Sequence, residues 1–167
     1  MLFSDFPDEA RVWIYPLSRA LTAEEQATLT TRLNTFAEGW TSHQRPVLGA
    51  TAVLHDRFLV LTARIIGGDI SGCGIDKSVH AVESAVANLE AEVLPVLSIF
   101  YADAAGDVHA VSRGAFRKLV QAGTVDATTK VFDPSLTLLG DLRRGAFAQT
   151  AGESWHGRIF RIPQPAT

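Results

Sequence analysis

The chain has 167 residues and a formal net charge of −3 at neutral pH, which argues against a general affinity for nucleic acid or acidic lipid. With 47% hydrophobic and 20% charged residues it can bury a core without staples, which excludes a disordered chain. Its single cysteine, Cys73, excludes an internal disulfide. The longest nearly apolar run, 93–102, contains Pro95 and Ser98 and falls far short of the roughly 20 residues that span a bilayer. Residues 1–11 carry Asp5, Asp8 and Glu9 and lack a basic-then-apolar leader pattern. The expected address is therefore the cytoplasm, with no membrane or nucleic-acid partner.

In chain order, Val12–Tyr15 is β-branched and aromatic and predicts a first strand closed by Pro16. Thr22-Ala-Glu-Glu25 has the capping-box form, with Thr22 as N-cap and Glu25 at N3. Leu29, Leu33, Phe36 and Trp40 follow at helical spacing, and His43 continues that stripe before Pro46. Residues 50–54 and 57–63 read as two strands joined by a tight turn at His55-Asp56. Residues 67–74 hold four glycines, a loop signal. A helix is expected from Ile75, where Ile75, Val79, Val82, Val86, Leu89 and Val93 repeat at four-three spacing until Pro95. A fourth strand, 96–102, and a fifth, 108–112, follow across a turn at 103–107. Beyond them, 116–123 and 136–144 predict short helices, and 130–133 and 158–162 strands.

The order strand, helix, strand, strand, helix, strand is the split βαβ pattern. The expected fold is α+β: a ferredoxin-like core over 11–102, both helices on one sheet face, and a C-terminal α/β extension over 103–162 packed on it. The whole chain, 1–167, reads as a single domain. With right-handed crossovers, His43, the loop 73–76 and Asp103 converge at one end of the sheet.

That loop is the candidate site. Its amides are expected to end at a helix N-terminus with Asp76 as N-cap or first-turn acid, an arrangement that favours anions and a nucleophilic thiolate. The candidate ligand-binding residues there are Ser71, Gly72, Gly74, Asp76 and Ser78. Cys73 is a candidate nucleophile with His43 or His80 as base, and a small cysteine packed under a glycine turn is the alternative. His80 can also pair with Asp76 or Glu83 on the helix surface. Trp40 completes a core stripe, and the pair Trp155-His156 suits the edge of a core. No His-Glu-x-x-His or Cys-x-x-Cys occurs, so no metal or cofactor is expected. Asp76-Lys77-Ser78 lacks the glycine interval of a phosphate-binding P-loop, which excludes an ATPase of that type.

At 71–79, Ser-Gly-Cys-Gly-Ile-Asp-Lys-Ser-Val, the chain resembles a family of short uncharacterised bacterial proteins often labelled ABC transporter ATPase. The likeness extends to Arg11-Val12-Trp13-Ile14-Tyr15, Trp40-Thr41-Ser42-His43 and Ser154-Trp155-His156. It implies no established activity, but it draws Trp40, His43, Cys73, Trp155 and His156 together as positions to test, with Trp40, Trp155 and His156 as further candidate ligand-binding residues. A shorter stretch, 111–132, is similar to part of a GYF-like peptide-binding module, and a plain helix–turn–strand connection accounts for it equally. The sequence thus points first to a module binding a small anionic ligand at the loop 67–76. The alternatives are an adaptor or homo-oligomer using the C-terminal segment, and a small enzyme using Cys73.

Overall fold

A computed structural model describes residues 1–165. It is a mixed α+β structure with antiparallel sheets, and the chain divides into two compact units. The first comprises 1–94 and 135–143, the second 95–134 and the described residues from 144 onward.

In the first unit, β1 (Arg11–Pro16) leads to α1 (Ala23–Glu38), a two-residue hairpin β2 (Thr41–Ser42) and β3 (Arg45–Pro46), then β4 (Leu48–Leu54), β5 (Phe58–Arg64) and α2 (Gly72–Ala87). Strands β1 and β4 flank β5, both antiparallel to it, with Trp13 opposite Leu61 and Thr51 opposite Leu61 on the other side. Thr22 caps α1 through the Glu25 amide, and the Glu25 carboxylate returns to the Thr22 amide, completing the capping box. The Arg19 guanidinium beside that carboxylate, helped by the Thr22 amide, holds its pKa at about 2. Leu29 and Leu33 of α1 and Val82, Ala85 and Val86 of α2 join Leu59 of β5 in one buried cluster, with Leu89 and Val93 packed against it.

The free edge of β1 is covered at both ends, which removes a template for pairing with other chains. At its end Leu17 bridges Val93, and the Leu94 amide donates to the Pro16 carbonyl at 2.7 Å. At its start Arg11 bridges Leu138, and the Val12 amide donates to the Thr137 carbonyl at 2.9 Å. The segment 135–143 is further tied to the N-terminus by Arg143. Its guanidinium donates to the carbonyls of Leu2, Phe3 and Phe6 and pairs with Asp8 at 2.6 Å.

The second unit is a four-stranded antiparallel sheet in the order β7 (Val108–Val111), β6 (Ile99–Ala102), β8 (Lys130–Phe132), β9 (Ala148–Thr150). It also contains α3 (Arg113–Gln121), capped by Ser112, and α5 (Trp155–Ile159), capped by Ser154. The short α4 (Leu139–Arg143) belongs to the first unit. Phe116 of α3 is fully buried and meets the Phe160 ring edge-on at 4.7 Å.

Several sequence expectations are corrected. The strand expected at 96–102 exists as β6, but it pairs with β7 and β8 and not with the first sheet. The division expected at 102/103 is displaced accordingly, and 135–143 joins the first unit. α2 stops at Ala87, with Glu90 at positive φ, well before Pro95. The strand expected at 158–162 is replaced by α5 and an irregular segment, and β9 had no expected counterpart.

Candidate functional site

The glycine-rich stretch folds differently from a loop leading to Ile75. Ile65 bridges Gly68 across a tight turn in which Gly67 has φ of +78°, a conformation glycine adopts at little cost. Ser71 then caps α2, accepting from the Gly74 amide at 3.2 Å, so Gly72, Cys73 and Gly74 lie inside the first helical turn. Asp76 is therefore an exposed helical residue, neither the N-cap nor an acid of the first turn. The reason is tertiary. Ser42 of the β2–β3 hairpin sits on this terminus, its hydroxyl 2.7 Å from the Ser71 hydroxyl and accepting from the Ser71 amide at 2.9 Å. A Cβ at Gly74 would lie 2.9 Å from that of Ser42, so glycine there serves close approach. The Trp40 indole N–H, buried, donates to the Gly74 carbonyl at 2.9 Å.

The structure thus brings Trp40, Ser71 and Gly74 together, with Ser42 as a member the sequence did not single out. Ser78 is fully buried and donates to the Ile75 carbonyl at 2.6 Å, beside the Tyr15 phenol, whose pKa is raised chiefly by burial. It faces no ligand. His43 does not extend α1. The helix ends at Gly39, and His43 and Gln44 form the tip of the β2–β3 hairpin, both at positive φ and both exposed. Cys73, Gly72 and His80 are exposed on α2. No contact joins Cys73 to either histidine among the described interactions.

Asp103 is engaged within the second unit, where it accepts from the Ala105 and Asp107 amides and from His109 Nε2 at 2.7 Å. The His109 hydrogen bond is the main cause of its lowered pKa. Trp155 and His156 also belong to the second unit. His156 is 1% exposed, stacks on Trp155 with ring centroids 3.8 Å apart, and places Nδ1 2.9 Å from the Ser154 hydroxyl. Burial lowers its pKa to about 4, with Asp133 opposing and Arg113 reinforcing the shift. A neutral buried ring bonded to its own helix cap is a packing element.

The feature that sequence reasoning missed is a groove of about 510 Å³ in the first unit. It runs along the start of edge strand β4, over the Trp40 ring, between the end of α1 and residues 5–6. Phe6, Trp40, Val47 and Leu48 supply apolar walls, Leu48 being 44% exposed. Gly49 keeps the floor low, since a Cβ there would sit 3.2 Å from two Trp40 ring carbons. Arg64, the last residue of β5, borders the groove, and its buried Nε has no hydrogen-bond partner among the described residues. Asp5 and Glu38 are on the same lining. The sequence signal was an arginine closing a largely apolar strand.

Among the described residues no helix is long and apolar enough to cross a membrane, and no group of three or more His, Cys, Asp or Glu could hold a metal ion. With this α+β fold and groove established, comparison with protein-family models, curated proteins and solved structures finds no significant match. Lys77 is the sixth residue of α2, with Nζ 3.4 Å from the Thr41 carbonyl, and does not follow the loop of phosphate-cradling amides that defines a P-loop lysine. Purified protein is expected to show no magnesium-dependent ATP hydrolysis above a Lys77→Ala control. Turnover that disappears in that variant would restore the nucleotide reading.

Proposed function

We propose that the protein is a small-ligand-binding module whose groove over Trp40 takes a ligand with an apolar body and one anionic group. The observation that carries this reading is Arg64, a cationic side chain at the border of an apolar groove. The Arg64 guanidinium borders the groove as a fixed positive charge, and a carboxylate or similar group on a ligand would form a charge-assisted pair with it. The groove volume lies in the range of small-molecule sites, and its mix of apolar walls with few polar groups fits such a site. Asp5 and Glu38 disfavour a second anionic group and favour an amine on the ligand, so amino-acid-like zwitterions are the first class to test. The loop 67–76 receives less support, because Ser42 and Ser71 already occupy the Ser71 and Gly74 amides.

We further propose that the first unit is a split βαβ, ferredoxin-like core whose fourth strand is reduced to the bridge at Val93. The placement of β5 between β1 and β4 supports it, as does the shared cluster of α1 and α2.

Thermal-shift and calorimetric titration with apolar amino acids and their decarboxylated and N-acetylated analogues tests the ligand reading. Binding should require the carboxylate and weaken by about tenfold or more in Arg64→Gln, as expected for loss of a charge-assisted pair worth about 1.5–3 kcal/mol. Equal binding by wild type and Arg64→Gln, or none by any analogue, would refute it.

A further inference from the structure

We infer that the second unit carries a separate docking surface for an acidic peptide segment with an apolar side chain, in the groove between α3 and α5. This groove encloses about 650 Å³ and is lined by Arg117, Val120, Ile159, Phe160, Arg161 and Pro163. Ile159 is 55% exposed at its wall, an aliphatic side chain left in solvent at the end of a helix.

Charge complementarity selects the occupant. The groove lining includes two arginines and no acid. Neither α3 nor α5 contains an acidic residue, whereas both add exposed cations at Arg113, Lys118 and Arg158. Such a one-sign face concentrates acidic partners and rejects basic ones. Two further features place the cations at the groove. The Arg117 guanidinium carbon lies 5.9 Å from the Phe160 ring centroid, which orders a side chain that would otherwise range freely. Arg161 has φ of +51° in the turn that ends α5, where its amide donates to the Arg158 carbonyl and the Ile162 amide to Gly157. Glycine is the residue that turn favours, so the chain keeps an arginine at the groove at a conformational cost. An aliphatic side chain of the peptide would cover Ile159 and Val120 while flanking carboxylates meet Arg117 and Arg161.

Fluorescence anisotropy with a labelled peptide of glutamates flanking two leucines tests this on the full chain. The peptide should bind wild type, bind about tenfold more weakly to Arg117→Glu and to Arg161→Glu, and weaken with added salt. Two control peptides, one with lysine for glutamate and one with serine for leucine, should each bind about tenfold more weakly to wild type, which keeps the test decisive without any variant. The proposal fails if wild type does not bind the peptide or binds the lysine control equally. It fails too if the serine control binds as tightly as the parent, since the surface is then a generic polyanion binder. A concentration-dependent dimer dissolved by Ile159→Asp would assign the groove to a second copy and also overturn it.

Discussion

Replacement of Trp40 with alanine is expected to lower the unfolding free energy by about 4 kcal/mol, the usual cost of deleting a fully packed indole. The ring is 2% exposed, packs against Phe36 with centroids 5.3 Å apart, and joins Val47, Leu61, Ala63 and Ile70 in one cluster. Its N–H also donates to the Gly74 carbonyl in the first turn of α2, so the alanine variant loses that buried hydrogen bond. Trp40→Phe separates the two contributions, retaining most of the apolar volume and costing about 1–2 kcal/mol. Urea denaturation of both variants provides the comparison. Because the ring lines the groove, Trp40→Ala should also abolish the proposed ligand binding under conditions where the variant is still folded. A loss of less than about 1 kcal/mol would mean that α2 and the hairpin are not held through this residue.

In the second unit, stability is expected to fall as the solution is acidified from neutral pH to about 4, and His156 is the cause. Its pKa in the folded protein is about 4, against 6.5 for an unperturbed histidine, because burial penalises the charged ring. Above the unperturbed value both states are neutral and the residue adds no pH dependence. Between the two values the unfolded chain binds a proton that the folded chain does not, so acid favours unfolding. The shift corresponds to about 3 kcal/mol at the lower end of that window. The ring resonances of His156 should titrate with a midpoint near 4 by NMR, and the pH slope of stability should flatten in His156→Gln. A midpoint near that of free histidine would show that the ring stacked on Trp155 is readily charged, and the argument would fail.

What could be read from the residues follows how far each signal reaches along the chain. The Thr22–Glu25 capping box and the Leu29–Leu33 stripe were legible because their partners lie within four residues, and the structure realises both. The body of α2 was legible for the same reason. Its start was not, because the Ser71 cap depends on Ser42, twenty-nine residues away. Gly74 read as loop flexibility, yet it is helical and small to admit the Ser42 side chain. The hairpin turn at His43-Gln44 contains neither glycine nor asparagine, so positive φ at both positions left no mark in the sequence.

Sheet membership had the same limit. The pattern at 96–102 identified a strand, but alternation specifies which residues share a face and not which strand lies alongside. β6 found its neighbours in β7 and β8, and Val93 and 137–138 took the edge of β1 that it was expected to fill. The groove lay furthest from view. Its lining draws on residues 5–6, 34–50 and 64, and Arg143 secures the first of these from the far end of the chain. The sequence by itself determined that the chain is a mixed α+β protein with a packed core, and where most helices and strands form. Only the tertiary structure decided which strands pair, that the helix terminus at Ser71 is already capped, and that Arg64 borders an apolar groove. Helix and strand signals are contacts between near neighbours. A site is built from residues whose proximity exists only after the loops between them have closed.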